Sequence, residues 1–286
     1  MSPLTVTTAR LRRNGEQWQV YRQEVRVQAC EVALGEGESL RLVQIPAGEF
    51  EMGSPAHEID RSPDEGPQHT VRLGGFLLGQ TPVTQAQWAV VARWPKLELD
   101  LPPDPSGFKG ARRPVEQVSW FQAIEFCRRL SQRTGFCSTL PSEAQWEYAC
   151  RADTTTPFAF GATITPKLAN YSGNDSYANG PKGQHRDKTT DVASFPANAW
   201  GLHDMHGNVW EWCLDNWHER YKGAPSDGSP WQTGLEGKKL LRGGSWKSLS
   251  PEYCRSACRD HFPPFSAFVD IGFRVVCLPL GASLIP

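Results

Sequence analysis

The sequence predicts an α+β fold with short strands, a few helices and extensive loops. Its 286 residues include 11 Trp, 26 Gly and 23 Pro, a composition typical of large aromatic anchors joined by many turns. Helix start signals are sparse, and the β-like runs are short. No internal repeat is present. We therefore expect one domain over residues 38–286, preceded by a short N-terminal β extension over residues 1–37.

The predicted elements follow in order along the chain. The extension contains β-like runs at residues 18–21 and 25–30, and strands are predicted at 40–45 and 71–78. Capping boxes, each a Ser or Thr with Gln three residues later, predict three helices after Thr84, Ser119 and Ser142. Gly135 is predicted to end the second helix. Loops are expected to dominate from residue 152 to about 240.

Charge and cysteine content exclude several classes of function. The chain has 30 basic and 31 acidic residues, so no basic excess favours nucleic acid as a partner. No stretch is long and apolar enough to span a membrane, and residues 1–15 lack the apolar core of a signal peptide. Its eight cysteines form no C-x-x-C pair. We therefore expect a cytoplasmic protein with reduced thiols and no membrane partner.

The most informative segment lies between RGGSW at 242–246 and IGFRVV at 271–276. Residues 258–270 follow neither helical nor strand periodicity, and they mix bulky apolar, charged and proline residues. Such a mixture suits an exposed binding surface better than a packed interior. The flanking motifs are interpreted as structural.

Three other groups of residues leave alternatives open. Asp204 and Glu211 could supply oxygen ligands to Ca²⁺, or their segment could be a turn between buried tryptophans. His203 and His206 lack a third soft ligand for a transition-metal site, so packing is the favoured role. Cys254 and Cys258 could form a reactive pair or a disulfide, although buried structural thiols are the commoner case.

Several motifs occur together in a fixed order. They are IPAGEFEMG (45–53), RPVEQVSW (113–120), LPSEAQWEYA (140–149), GNVWEW (207–212), RGGSW (242–246) and IGFR (271–274). With this set the chain strongly resembles the formylglycine-generating-enzyme, or sulfatase-modifying-factor, family over about residues 38–278. The resemblance implies a C-type-lectin-like fold of the formylglycine-generating-enzyme type, with a small twisted antiparallel sheet, a few helices and extensive loops.

The resemblance also implies structural calcium. Asp204 and Glu211 would then contribute side-chain oxygens, and Gly207 and Val209 would contribute backbone carbonyls. A second site would begin at Asn170 and Tyr171, although the later acidic ligand of that site is not matched here.

The family's oxidase chemistry requires two cysteines that hold copper(I). At the matching positions this chain has Ser248 and, nearby, Tyr253, so we expect no copper site and no oxidase activity. The related iron-dependent sulfoxide synthases place their metal histidines on an added helical domain. The residues before the fold are too few to encode such a domain, so no iron is expected.

A third branch, the variable proteins of diversity-generating retroelements, ends in motifs similar to those of this chain. In that branch, adenines of AAC codons are replaced at random, which excludes Lys, Glu, Gln, Met and Trp from the variable positions. None of these five residue types occurs in residues 258–270, and Ser248, Leu249, Ser250 and Tyr253 obey the same rule. Lys247 and Glu252 would be fixed positions.

We therefore predict a ligand-binding protein with a variable surface, whose ligand is expected to be a protein. The predicted surface consists of Ser248, Leu249, Ser250, Tyr253, Cys258, Asp260, His261, Phe262, Pro263, Phe265, Ser266, Ala267, Phe268, Val269 and Asp270. Two alternatives remain. One is a metal-dependent oxidase or oxygenase of the family that uses Cys254, Cys258 or His261, and the other is a non-variable accessory binding protein.

Overall fold

The computed structural model describes residues 1–234 and 237–278, so the last residues of the predicted domain, 279–286, lie outside the described residues. Mixed sheets and three α-helices confirm the α+β class. The strands are β1 (Ser2–Asn14), β2 (Gln17–Gly35), β3 (Glu38–Ile45), β4 (Gly48–Met52), β5 (His69–Leu73), β6 (Phe76–Gly79), β7 (Cys137–Thr139), β8 (Trp210–Asn216), β9 (Lys239–Arg242), β10 (Arg259–Phe262), β11 (Ile271–Gly272) and β12 (Val276–Leu278).

The three predicted helices are confirmed, together with their caps. They are α1 (Gln85–Ala92), α2 (Trp120–Thr134) and α3 (Glu143–Arg151), and each begins with a complete capping box. Gly135 ends α2 in the left-handed conformation, with φ of 76°, which a residue without a Cβ adopts at little cost. None of the described helices is both long and apolar enough to cross a membrane.

The strand predicted at 71–78 is wrong, because the chain forms two strands there. β5 pairs with β4 in a separate two-stranded sheet, whereas β6 pairs with β3 and β12 in the main sheet. The break falls at Gly74 and Gly75, where the missing side chains weaken continuous pairing. The strand predicted at 40–45 is confirmed as β3.

The N-terminal extension is a long antiparallel hairpin, with β1 paired to β2 along its whole length. The sequence prediction found only parts of β2 and missed β1. β2 continues into the six-stranded sheet by pairing with β3, so the sheet runs across the predicted boundary at residues 37 and 38. The division into extension and domain stays a prediction.

A smaller four-stranded sheet, in the order β10–β9–β8–β11, carries the segment singled out by the sequence. Aromatic residues fill the core between this sheet and the helices, and Trp88, Trp146, Trp212 and Phe273 are fully buried. The loop-rich stretch after residue 152 is confirmed, except that β8 crosses it. The buried aromatic core therefore supports β10 and β11, which lie at the two ends of the segment singled out by the sequence.

Candidate functional site

The two motifs that flank the predicted surface form its structural base. In the first motif, Arg242 is fully buried and donates to the Glu147 carboxylate and to the Ser256 and Ala257 carbonyls. In the second, β11 lies parallel to β8 and Arg274 is fully buried against Glu211. The intervening chain leaves this base as β10 and returns at β11, so it must cross the surface between them.

A cleft of about 600 Å³ opens between the residues that follow the first motif and those that precede the second. The buried side chains of Trp210 and Ile271 line its floor. The predicted surface residues that line it are Ser248, Leu249, Ser250, Tyr253, Asp260, Phe262, Phe268 and Asp270. Two stretches chosen from sequence alone thus face each other across one concavity.

Other predicted residues lie outside the cleft. Cys258 is wrong as a surface residue: it is only 6% exposed and packs in the core, as expected for a small apolar side chain. The remaining residues are half-buried or exposed beside the cleft, and they are His261, Pro263, Phe265, Ser266, Ala267 and Val269. Ser248 lines the cleft but is 7% exposed, and its hydroxyl accepts a hydrogen bond from the Ser245 amide.

Five lining residues were missed by the sequence prediction: Trp210, Ser245, Lys247, Glu252 and Ile271. Lys247 and Glu252 were set aside by the codon rule, although they lie among the chosen positions. Ser245 and Ile271 belong to the flanking motifs that were interpreted as structural, and their place in the chain, next to the predicted surface, was the signal that could have included them. Trp210 belongs to the separate motif at 207–212 and reaches the cleft through the pairing of β8 with β11.

Large apolar side chains reach solvent on and around the cleft. Phe265 is 74% exposed, Leu249 70%, Phe268 47% and Tyr253 45%. Phe268 also packs edge-on against Phe262, with ring centroids 5.1 Å apart. Clustered exposed apolar residues are unusual on a soluble surface and mark sites of interaction, and aromatic side chains dominate the energy of many interfaces.

The cleft has more acidic than basic side chains. Asp260, Asp270 and Glu252 line it together with Lys247. Burial raises the pKa of Asp260, a hydrogen bond from the His261 amide opposes this shift, and the negative charge of Asp270 adds to it. The Asp270 carboxylate also accepts a hydrogen bond from the Ser245 hydroxyl at 3.1 Å.

Buried arginines attach the walls of the cleft to the rest of the fold. Arg255 follows the short 3-10 helix Pro251–Cys254, which carries Tyr253, and it donates to Glu58 and Glu65 at 2.6–2.8 Å. Arg259 at the start of β10 donates to both Glu143 oxygens. These ion pairs are almost completely buried. They connect both walls to other elements of the fold.

The chain matches the model of the sulfatase-modifying factor enzyme 1-like domain over residues 34–278. It belongs to this family. A relative is the formylglycine-generating enzyme of Mycobacterium tuberculosis, which is 30% identical over 84% of this chain and 98% of that protein.

Two solved structures resemble the whole domain and confirm the predicted C-type-lectin-like, formylglycine-generating-enzyme type of fold. PvdO from Pseudomonas aeruginosa is 33% identical, covers 87% of this chain and 98% of its own, and superposes with a TM-score of 0.74. Treponema denticola variable protein 1 is 26% identical, covers 88% and 99%, and has a TM-score of 0.71. The chain is therefore similar both to relatives named as enzymes and to a protein named as a variable protein.

The cysteines of this family member are free, and most are buried. Cys254 and Cys258 are not joined in a disulfide. Burial raises the pKa of both thiols above the ordinary value. Cys254 lies directly beneath Gly244, where a Cβ would come within 2.6 Å of its sulfur. Both residues therefore pack as neutral thiols at neutral pH.

The residues predicted to bind calcium have unequal surroundings. Both Glu211 oxygens already face Arg274 nitrogens at 2.6 Å, and one also accepts from the Trp146 indole at 2.7 Å. Asp204 accepts one hydrogen bond, from the Ala193 amide. Burial and the charge of Glu211 raise the pKa of Asp204 to about 6, despite that bond and the charge of Arg274. Asp204 thus fits a cation ligand, whereas Glu211 is already neutralised.

The backbone at the same loop is tightly turned. Gly207 has φ of 134°, and a Cβ there would come within 2.5 Å of the Asn170 carbonyl oxygen, so only glycine fits this close approach. The Gly207 carbonyl accepts from the Val209 amide at 3.0 Å. A cation bound by the Gly207 and Val209 carbonyls would therefore share the Gly207 carbonyl oxygen with the Val209 amide.

The residues of the tentative second calcium site lie beside the first loop. The Asn170 side-chain amide donates to Asn208, its carbonyl oxygen is buried without a partner, and the Tyr171 hydroxyl is likewise unpartnered. Among the described residues, no three His, Cys, Asp or Glu side chains are grouped as a metal site would require. The calcium predictions stay predictions: Asp204 accepts one hydrogen bond, and the Asn170 side-chain oxygen and the Tyr171 hydroxyl have no partner among the described residues.

His206 takes the packing role favoured by the sequence, whereas the ring of His203 is half-buried and contacts the Phe195 carbonyl. The His206 ring lies between the Cys254 carbonyl, 2.8 Å from Nδ1, and the Ala159 amide, which donates to Nε2 at 3.0 Å. This arrangement requires the neutral ring with its proton on Nδ1. Burial lowers the pKa of His206 to about 4, so the ring stays neutral across the physiological range.

Proposed function

We propose that this chain is a ligand-binding protein whose binding surface is the cleft between residues 245–253 and 260–271, and that it has no oxidase activity. The observation that carries the proposal is the convergence of two separate stretches on one cleft with exposed aromatic walls. Buried ion pairs support the cleft from below. Such support limits the entropy lost when a ligand binds.

The same cleft bears on the question of catalysis. Ser248 and Tyr253, the positions at which the resemblance calls for thiols, both line it. A seryl or tyrosyl hydroxyl is a poor ligand for copper(I), which prefers thiolates. The nearest cysteines along the chain are buried with raised pKa values. These features support a binding role over an oxidase role. Oxidase activity is the second candidate function because relatives of this chain are named as formylglycine-generating enzymes.

The finer part of the proposal is that the surface belongs to a diversity-generating system. It is supported by the similarity to Treponema denticola variable protein 1 and by the residue types in the cleft. Exposed positions such as Leu249, Phe265 and Phe268 carry residue types that random replacement of the adenines in AAC codons allows, and their side chains contribute little to the core. A fixed accessory binding protein is the alternative.

Calcium remains part of the proposal as a structural ion. Asp204 would hold it, with the Gly207 and Val209 carbonyls, and Glu211 would share its oxygens between the ion and Arg274. The chemistry that calcium would supply is charge compensation for the half-buried Asp204 carboxylate.

The experiment that tests the function has two arms. In the first, the genome is searched beside the gene for a reverse transcriptase and a near-copy of the segment encoding residues 247–270 that differs only at adenines. Finding both supports the variable surface, and finding neither refutes it. In the second, the purified protein loaded with copper(I) is incubated with a cysteine-containing peptide. Oxidation of that cysteine at a catalytic rate would refute the binding-only proposal.

A further inference from the structure

A second cleft, remote in sequence from the first, separates the N-terminal hairpin from the body of the domain. It has a volume of about 470 Å³. Residues 4–7 of β1 and Arg22 of β2 line one side, and Lys167 and residues 193–196 line the other, with Arg41 and His203. The hairpin residues precede the part of the chain that matches the family model, residues 34–278. The cleft is therefore formed between the family domain and a hairpin that largely precedes it.

The hairpin is fixed to the body at one end of this cleft. The Ala197 amide donates to the Thr7 carbonyl at 2.9 Å, and Thr8 and Ala197 form a parallel bridge. On the body side, the Gln80 amide donates to the Arg41 carbonyl, and the His203 ring contacts the Phe195 carbonyl at 2.8 Å. Because both walls are held by hydrogen bonds, the cleft is a built feature of the fold.

The charged side chains that line this second cleft are basic. Arg22, Arg41 and Lys167 line the cleft, and no carboxylate does so within the described part of the chain. Glu31 neutralises Arg41 through contacts of 2.5 and 3.1 Å. Arg22 and Lys167 form no ion pair among the described residues. Two uncompensated cations therefore face one concavity in a chain whose net charge is −1.

We propose that this cleft binds a small organic phosphate. The guanidinium of Arg22 and the ammonium of Lys167 are the donors that phosphate groups favour. Leu4, Val6, Phe195 and Pro196 supply an apolar wall for the organic part of the ligand. The size of the cleft suits a small molecule, and the absence of net positive charge on the chain argues against an extended polyanion.

The test is a calorimetric titration of the full chain with phenyl phosphate at constant ionic strength. The wild type is expected to bind saturably. The double variant Arg22→Gln/Lys167→Gln is expected to bind at least about tenfold more weakly, since each charged hydrogen bond contributes roughly a factor of ten or more. Both side chains are exposed, so the variant should fold, and an unchanged melting temperature will verify it.

The matched control is Arg12→Gln, which removes an exposed hairpin arginine that does not line the cleft. It is expected to bind like the wild type. The proposal is overturned if the wild type shows no saturable binding, or if Arg12→Gln weakens binding as much as the double variant does. Tighter binding of a single-stranded oligonucleotide than of phenyl phosphate would also overturn it, because an extended polyanion surface would then be the better description.

Discussion

Replacing Arg255 by methionine tests how the scaffold holds the wall of the first cleft. The guanidinium is 1% exposed and makes contacts of 2.7 and 2.8 Å through Nη1 to Glu58 and Glu65, and of 2.6 Å through Nη2 to Glu65. Arg255→Met would leave two buried carboxylates without their cation. Breaking a buried ion pair in this way costs about 3–5 kcal/mol of unfolding free energy, so we expect a loss of that size at pH 7.

The loss should shrink as the pH falls. Burial already raises the pKa of Glu58, with Arg255 opposing the shift, and removal of Arg255 raises it further. A carboxyl group whose pKa is higher in the folded state than in the unfolded state lowers the unfolding free energy as the pH rises. At low pH the group is protonated in both states and causes no such loss. The difference between variant and wild type should therefore be smaller at pH 5 than at pH 7.

Urea unfolding followed by tryptophan fluorescence measures both effects. The triple variant Arg255→Met/Glu58→Gln/Glu65→Gln should recover most of the loss, because no buried charge remains. Arg72→Gln is the matched control: its ion pair with Glu49 is exposed, and it should cost less than about 0.5 kcal/mol. A loss below about 1 kcal/mol for Arg255→Met, or no recovery in the triple variant, would refute the reasoning.

Two further predictions concern titrating groups near the family motifs. Because the pKa of His206 is lowered to about 4, its contribution to stability is present above pH 6.5 and is lost as the pH falls through 4, by about 3 kcal/mol. His206→Gln should flatten this part of the urea-derived stability profile, and an unchanged profile would contradict the assignment. Asp204, with its pKa raised to about 6, favours folding below pH 4 and loses that contribution as the pH rises through 6. Saturating calcium at pH 7 should stabilise the chelator-treated wild type by about 2–3 kcal/mol and leave Asp204→Asn unchanged; equal melting curves with and without calcium would refute the site.

The sequence was most informative where local chemistry decides structure. Capping boxes identified every α-helix in the described residues, and Gly135 marked an end correctly, because these signals depend on neighbouring residues. β1 was missed because its pairing with β2 is not visible in a mixed pattern of polar and apolar residues. The buried residues of β1 include Val6 and Leu11, which lie on opposite faces of a regular strand, so no single alternation of polar and apolar residues marks β1.

The candidate site was predictable in position but less so in detail. The first flanking motif begins at the last residue of β9 and the second begins with β11, and the cleft opens between them. Cys258 was misplaced because it lies just before β10, where both it and Arg259 are buried, and the partly exposed residues begin only at Asp260. The contact of Glu211 with Arg274 was not predictable either, since it joins residues 63 positions apart.

We expect that the exposed residues on and around the cleft can vary without unfolding the scaffold. This expectation is tested most directly by the stability of the variant Leu249→Asn/Tyr253→Asn/Phe265→Asn/Phe268→Asn, measured by urea unfolding. All four side chains are exposed, so the account predicts a total loss below about 2 kcal/mol. Phe273→Ala, at a fully buried position, should lose about 3–5 kcal/mol. A fourfold variant that unfolds, or that loses as much as Phe273→Ala, would contradict this expectation.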